Sequence, residues 1–183
     1  MKLEVLEKDF VYHIYNRGIN GTNIFNNEEN KIYFLSLIDK YLSNIGFIYA
    51  YCLMDNHFHL LFASNVEGEI ATQKISNLFN AYAKAFNKMY NRTGSLFEKH
   101  FRRIRVPNEL YLSSLIIYIH MNPKHHFGLD FTSFKFSSYN GHISDRPTKL
   151  MRREVLELFG GRDNFVFAHH ERNSILEAMI TLE

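Results

Sequence analysis

The sequence predicts an α+β fold in which one antiparallel sheet carries helices on one face. Two observations predict it. Segments rich in branched and aromatic residues come between segments with the apolar spacing of amphipathic helices. Their order is strand, helix, two strands, helix, strand, helix, the split β-α-β order of ferredoxin-like and RRM-like domains. We expect residues 1–145 to form the domain and residues 146–183 to add a C-terminal helical extension to it, because no Pro/Gly-rich linker separates them.

The first half of the chain predicts a strand, a helix and a hairpin. Residues 10–16 alternate and are rich in aromatic side chains, which predicts the first strand. In the helix that follows, Asn26 or Asn27 caps the N-terminus, and Gly46 marks the end. The apolar stripe predicted for this helix is Ile32, Leu35, Ile38 and Leu42. Residues 47–64 predict two strands joined by a tight turn.

The second half predicts a long helix, a basic strand and a second long helix. The long helix spans about 69–90, and the strand lies within 96–106. The next helix begins after Pro107 and is expected to end at Pro123, because proline lacks the N–H that the helix needs. The apolar face predicted for the first of these helices is Ile75, Leu78, Phe79, Tyr82, Phe86 and Met89. The caps predicted for a further helix and for a last short helix are Thr148 and Asp163.

Charge is unevenly distributed along the chain. The formal net charge is only +2, yet between Lys74 and Arg105 eight basic residues stand against one acid, Glu98. Such a local excess is typical of a protein that binds a polyanion, with a solvated basic face as the alternative. The aromatic fraction of 15% suits a phenylalanine-rich core first and a base-stacking surface second.

Composition also bounds the cellular setting. Cys52 is the only cysteine, so no internal disulfide forms and a reducing compartment is expected. The N-terminus is too charged for a signal peptide, and no apolar run reaches the roughly 18 residues of a membrane span. We therefore expect a soluble cytoplasmic protein, associated with the nucleoid if its partner is DNA.

Two histidines one residue apart, His57 and His59, interrupt an apolar run. Side chains alternate along a strand, so both imidazoles face the same side while Phe58 faces the core. His-X-His is thus the shortest strand spacing that lets two imidazoles meet one metal ion. The alternative is a chance pattern in which each ring is satisfied by water or backbone. No cysteine or HExxH pattern supplies a zinc set, so a third ligand must come from elsewhere in the chain.

A tyrosine and an amide share one face of the later helix. Tyr118 and Asn122 are four residues apart, in a stripe with Tyr111 and Leu115, while Leu112, Ile116 and Ile119 can form the docking face. Asn122 could complete a metal shell through its carbonyl oxygen and Tyr118 could present its hydroxyl to a polarised group. The alternative is that both are ordinary helix residues, since the chain has 11 tyrosines.

Four motifs in this order resemble the REP-associated tyrosine transposases, which are single-tyrosine HUH (His-hydrophobe-His) proteins of the IS200-like transposase superfamily. The motifs are YHIYNRG at 12–18, YCLMDNHFHLLF at 51–62, NRTGSLFEKHFRRIRV at 91–106 and YIHMNP at 118–123. FKFSSY at 134–139 and LELFGG at 156–161 also match, and the resemblance extends from about residue 10 to residue 169.

The resemblance implies a role for each matching site residue. His57 and His59 would be the metal ligands, Tyr118 the nucleophile, and Asn122 the third ligand, where relatives carry glutamine or asparagine. His120, two residues from Tyr118, points away from it on a helix and is not expected to be a ligand.

Two positions depart from the family pattern. Asp55 stands in a turn where many relatives have proline, and we expect little consequence. The sequence KHHFG follows Pro123 in place of a commoner basic-apolar one. It remains open at this point whether Lys124, His125 and His126 contact DNA phosphates.

The expected activity is metal-dependent cleavage and rejoining of single-stranded DNA at hairpin ends through a covalent 5′-phosphotyrosine, with Mg²⁺ or Mn²⁺ as the ion. The expected partner is single-stranded DNA carrying hairpins of REP-type palindromes, without membrane or nucleotide cofactor, bound by a monomer or homodimer. Two alternatives are a hairpin-binding protein without turnover and a hydrolase in which water attacks. Lys99, Phe101, Arg103 and Arg105 are expected to share one strand face. The candidate DNA contacts are Arg17, Lys84, Lys88, Arg102, Arg103 and Arg105.

Overall fold

Four antiparallel strands form one sheet in the order β2-β3-β1-β4 in the computed structural model, which describes the backbone of residues 4–181 and the side chains of residues 4–173. The strands are β1 (Val11–Arg17), β2 (Gly46–Leu53), β3 (His57–Ser64) and β4 (Arg102–Arg105). The predicted α+β fold with an antiparallel sheet is confirmed. The basic strand is only four residues long, shorter than the predicted segment 96–106.

Six α-helices and one 3₁₀ turn are present in the described residues. They are η1 (Ile19–Gly21), α1 (Glu28–Leu42), α2 (Gly68–Met89), α3 (Glu109–Phe127), α4 (Tyr139–Ile143), α5 (Arg152–Leu158) and α6 (Arg162–Thr181). Within residues 4–181, no helix combines the length and hydropathy that crossing a membrane requires.

Helices cover both faces of the sheet, whereas the sequence predicted one covered face. Phe58, Leu60 and Phe62 of β3 pack with α1 and α2 in the larger core. Leu61 faces the other way, together with Ala50 and Cys52 of β2, and α3 covers these three residues. The prediction was wrong because β3 is apolar on both of its faces, and each face needs a covering layer.

The buried face of α1 differs from the predicted stripe. Phe34, Leu37, Ile38 and Leu42 are buried, whereas Ile32 is 53% exposed. Asn27 provides the cap, and its side chain accepts from the Asn30 N–H at 2.9 Å.

Gly46 begins β2 and does not end α1, which already stops at Leu42. A Cβ at Gly46 would lie 2.2 Å from the Ala63 carbonyl oxygen and 2.4 Å from the Phe62 ring. Glycine is therefore required here by the close approach of β2 to β3 and not by a helix stop.

Helix α2 matches its prediction at both ends and along most of its apolar face. The buried residues of this face are Ile75, Leu78, Phe79, Tyr82 and Phe86. Met89 is the exception, with 61% of its surface exposed.

Helix α3 continues through Pro123 to Phe127, so the predicted end at Pro123 was wrong. Proline leaves the carbonyl of Ile119 without its backbone donor. The Asn122 side-chain NH₂ group lies 3.5 Å from that oxygen and donates to the Tyr118 carbonyl at 2.9 Å. The helix ends instead at Gly128, whose φ of +65° favours glycine.

The C-terminal extension packs directly on α3. Val155 and Phe165 are fully buried in the same cluster as Ile116 and Ile119. Helix α6 is 20 residues long, not the short helix predicted, and Asp163 lies in its first turn.

The predicted cap at Thr148 is wrong, because the chain is still extended there. Met151 donates its N–H to the Ile48 carbonyl at 2.9 Å, which holds this segment against the edge of β2. The Thr148 hydroxyl oxygen accepts from the Leu150 N–H at 3.2 Å, and α5 begins only at Arg152.

A chain of buried hydrogen bonds ties α3 to α6 and to the segment before α4. The His169 Nδ1–H donates to the Phe165 carbonyl at 2.7 Å, which leaves His169 Nε2 to accept from His120 Nδ1–H at 2.9 Å. His120 Nε2 then accepts from the Ser138 hydroxyl at 2.8 Å. Nearby, His142 Nε2–H donates to the Tyr49 carbonyl at 2.9 Å. This pattern requires neutral imidazoles, and burial lowers the pKa of His142 and of His169 to about 4.

We predict that acidification destabilises the protein between about pH 6.5 and pH 4. The unfolded chain binds protons on these histidines near pH 6.5, whereas the folded chain does not, so their contribution is complete above pH 6.5 and is lost as the pH falls. At pH 5, His142 and His169 each lower the free energy of unfolding by roughly 2 kcal/mol relative to its value above pH 6.5. Urea unfolding at pH 7.5 and pH 5.0 measures the loss. His142→Gln should reduce the pH dependence and His100→Gln, at an exposed position, should not. Equal pH dependence in all three proteins would contradict this prediction.

Candidate active site

An open cleft of about 580 Å³ lies where the ends of β1, β3 and β4 meet the C-terminal half of α3. Strand residues form one wall and α3 residues form the other. The cleft lining includes Tyr15, Arg17, Asn56, His57, His59, Arg102, Tyr118 and His126. The strand pair and the helix that the sequence singled out separately therefore share one concave site.

Strand register places the histidines in this cleft. His59 of β3 lies opposite Tyr15 of β1, and His57 lies opposite Arg17. Side chains directly opposite each other in an antiparallel pair share a sheet face, so all four face the α3 side. Phe58 between them is fully buried on the other side, as predicted.

Two hydrogen-bond acceptors face each other across the site. Asn56 Oδ1 lies 2.7 Å from His57 Nδ1 and can only accept, so His57 carries its proton on Nδ1 and leaves a lone pair on Nε2. That Nε2 lies 3.4 Å from Asn122 Oδ1. The Asn122 NH₂ group is already directed at the Tyr118 carbonyl, so its oxygen must face His57. Two lone pairs at this separation are stabilised by a cation between them.

His59 completes a set of three neutral donors. Burial, with the neighbouring His13 and His57, holds the pKa of His59 well below its usual value, and burial also lowers the pKa of His57. Both rings are therefore neutral at neutral pH, and each can offer one nitrogen lone pair to a metal ion. Two imidazole nitrogens and one amide oxygen fit a divalent ion of intermediate hardness. Among the described residues, no cluster of three or more His, Cys, Asp or Glu side chains offers a competing metal centre.

Tyr118 lies against the histidine pair. Its ring is 5.6 Å from the His59 ring, centre to centre and edge to face, and 41% of the residue is exposed to the cleft side. Burial raises the pKa of the Tyr118 phenol, while the Asn122 amide acts in the opposite direction. The phenol is thus protonated at neutral pH and must lose its proton before it can attack.

Residues 7–122 match the model of a family described as transposase, IS200-like. The chain belongs to the IS200-like transposase family. A solved structure described as a REP-associated tyrosine transposase bound to a REP hairpin has a similar fold, with a TM-score of 0.63 over 81% of this chain and 89% of that chain. Sequence identity to it is 15%, so this likeness shows the fold alone. No curated protein matches the sequence.

His57, His59, Tyr118 and Asn122, the four residues that the structure brings together, all lie within the matched residues 7–122 of this IS200-like transposase. His120 faces away from the cleft into the buried network described above, as the sequence predicted. Asp55 is tied to the fold, since its carboxylate accepts from Lys31 Nζ at 2.7 Å.

The six basic residues expected to contact DNA lie in two places. Arg17 and Arg102 line the cleft, and Arg17 also bonds Glu98 at 2.6 Å. Arg103 and Arg105 face the opposite side of the sheet, where Arg103 donates to Thr72 at 3.2 Å. Lys84 and Lys88 are exposed on α2, which covers that same side.

The predicted face of Lys99, Phe101, Arg103 and Arg105 is therefore not a cleft surface. Phe101 is 6% exposed within the larger core, and the Arg103 guanidinium stacks 4.4 Å from its ring centre. Arg105 stacks on Phe10 at 3.4 Å and bonds Glu7 at 2.9 Å. The prediction missed this because it fixed which residues share a face but not which face opens to the site.

Sequence reasoning missed several residues around His57 and His59. His13 and Tyr15 share the cleft-side face of β1 with Arg17, and the period of two in YHIYNR was the signal that could have found them. Asn56 orients His57 from the turn before β3. His126, left open by the sequence, lies one turn after Asn122 and stacks edge to face on His57 at 4.9 Å.

Proposed function

We propose that this protein is a metal-dependent single-strand DNA endonuclease and strand transferase that cleaves and rejoins DNA at hairpin ends. The observation that supports it most is that side chains from two distant segments come together: Tyr118, His57 and His59 line one cleft, and the buried Asn122 places its Oδ1 3.4 Å from His57 Nε2. Membership of a transposase family and a fold shared with a hairpin-bound transposase support a DNA substrate.

His57 Nε2, His59 Nε2 and Asn122 Oδ1 would hold a divalent ion, Mg²⁺ or Mn²⁺, at the base of the cleft. When bound, the ion withdraws negative charge from a phosphate oxygen and so makes phosphorus easier to attack. The rigid β3 backbone and the hydrogen bonds at Asn56 and Tyr118 hold these donors in place without substrate.

Tyr118 is the proposed nucleophile. Its phenolate oxygen forms a bond to phosphorus while the bond from phosphorus to the 3′-oxygen breaks, which leaves a 5′-phosphotyrosine and a free 3′-hydroxyl. One phosphate ester replaces another, so the reverse step rejoins strands without ATP. Burial raises the pKa of the Tyr118 phenol, so the phenol must lose its proton to form the attacking phenolate.

Arg17 and Arg102 are the DNA contacts that the cleft supports best. They place positive charge on the wall opposite α3, close enough to the histidines to bind a phosphate next to the one that reacts. Lys84, Lys88, Arg103 and Arg105 lie on the far side and would contact only DNA that extends around the domain. A REP-type hairpin, the ligand of the similar structure, is the proposed substrate.

We predict that Tyr118→Phe abolishes the covalent adduct and leaves DNA binding intact. A hairpin oligonucleotide with a single-stranded flank is incubated with the protein and Mn²⁺, and adducts are detected on denaturing gels. Tyr111→Phe is the matched control, because Tyr111 lies on the same helix with 43% of its surface exposed.

An adduct formed by Tyr118→Phe at the wild-type rate would show that the nucleophile is wrongly assigned. Binding without any adduct in the wild type would favour the hairpin-binding protein without turnover. Free cleavage products without an adduct, unaffected by Tyr118→Phe, would favour hydrolysis by water.

We also predict that two arginines of β4 differ in their effect on DNA affinity. Arg102→Ala should weaken hairpin binding about tenfold and lower the slope of log affinity against log salt by about 1, because it removes a phosphate contact in the cleft. Arg105→Ala should leave affinity within about twofold, since Arg105 is engaged with Glu7 on the opposite face. The test is to measure hairpin affinity of both variants and the wild type at several salt concentrations. An equal loss in the two would place the DNA on both faces of the sheet.

A further inference from the structure

His13 lies beside the metal-ligand pair without being one of its members. It belongs to β1, is 7% exposed, and is not among the described residues that line the cleft. Its Nε2 lies 2.8 Å from His59 Nδ1, and the two rings stack at 5.0 Å between centres. His59 Nδ1 is thus hydrogen-bonded to His13, and only His59 Nε2 can interact with a group in the cleft.

The His13–His59 hydrogen bond contains one proton, and its position decides what His59 can do. If His13 donates, His59 must carry its own proton on Nε2, which then has no lone pair to bind a metal. If His59 donates from Nδ1, its Nε2 lone pair is free. Only the second arrangement makes His59 a ligand.

His57 has its proton position fixed by a partner that can only accept, the Asn56 carbonyl oxygen at 2.7 Å. The partner of His59 Nδ1 is not one-way, since the His13 imidazole can donate or accept. The state of His59 therefore depends on His13 keeping its own proton on Nδ1. Both rings then present Nε2 to the same region of the cleft.

We infer that His13 is a positioning residue that accepts the Nδ1 proton of His59 and so directs the His59 Nε2 lone pair to the metal ion. This inference rests on the proposed function, because it assigns His59 as a ligand. It adds a role for a residue outside the cleft. Partners of this kind on metal-bound histidines typically change metal affinity by about 10–100-fold when they are removed.

Two substitutions separate the hydrogen bond from the packing. His13→Phe keeps an aromatic ring beside Tyr15, whose ring is 4.8 Å away, but removes the acceptor. His13→Gln places an amide oxygen near the position of the imidazole Nε2 and can still accept. Thermal unfolding in a chelator reports whether each variant is folded before metal is added.

The first measurement is Mn²⁺ affinity of the full chain without DNA, from the EPR signal of free Mn²⁺. We expect about 10–100-fold weaker binding for His13→Phe and affinity within about threefold of wild type for His13→Gln. The second is the ¹⁵N NMR spectrum of the histidine rings without metal. In the wild type we expect the His59 proton on Nδ1, and this readout needs no variant to fold.

Each outcome has a distinct meaning. Wild-type affinity in His13→Phe, or a His59 proton on Nε2 in the wild type, overturns the inference and leaves the proposed function standing. Loss of affinity in both variants also overturns it, because it assigns the effect to packing. A wild-type protein that binds no Mn²⁺ at all overturns the proposed metal site itself.

Discussion

The register between β1 and β3 is the constraint on which the site depends. Alternate residues of β3 pack in the core under α1 and α2, and two of them, Phe58 and Phe62, are fully buried. Because the period of a strand is two, this burial forces His57 and His59 onto the opposite face. A slip of one residue would turn both imidazoles toward α1 and α2 and the phenylalanines toward α3 and the cleft. The packing that stabilises the larger core therefore also directs His57 and His59 toward the cleft.

The second half of the site depends on how α3 is held. Ile116 and Ile119 dock it on the sheet, and the imidazole chain from His120 to His169 ties it to α6. The position of Asn122 before Pro123 matters as well, because the amide that partly replaces the missing backbone donor thereby turns its oxygen to His57. Tyr118 is one turn earlier on the same helix. Sheet and helix are thus two rigid supports that meet across the cleft.

The order of the elements along the chain and the long helices could be predicted, because these follow from local periodicity. Spacing also put His57 and His59 on one strand face and Tyr118 and Asn122 on one helix face, and the family resemblance linked the two pairs. Features that depend on tertiary contacts could not be predicted from the sequence. The predicted end of α3 was wrong because the Asn122 side chain partly replaces the backbone donor that Pro123 lacks. The role predicted for Gly46 was wrong because glycine is needed there to let Phe62 approach the backbone. The basic strand showed which arginines share a face, but only the sheet order shows that Arg102 faces the cleft while Arg103 does not. His13 escaped notice because its partner, His59, is on another strand.

The central claim is that His57, His59, Asn122 and Tyr118 form one metal site. The most direct test is anomalous diffraction at the manganese edge from crystals of the full chain grown with Mn²⁺. We predict one dominant anomalous peak about 2.2 Å from Nε2 of His57, Nε2 of His59 and Oδ1 of Asn122, with the Tyr118 hydroxyl on its open side. A peak bound elsewhere, or one held by the histidines with Asn122 and Tyr118 turned away, would contradict the proposed site.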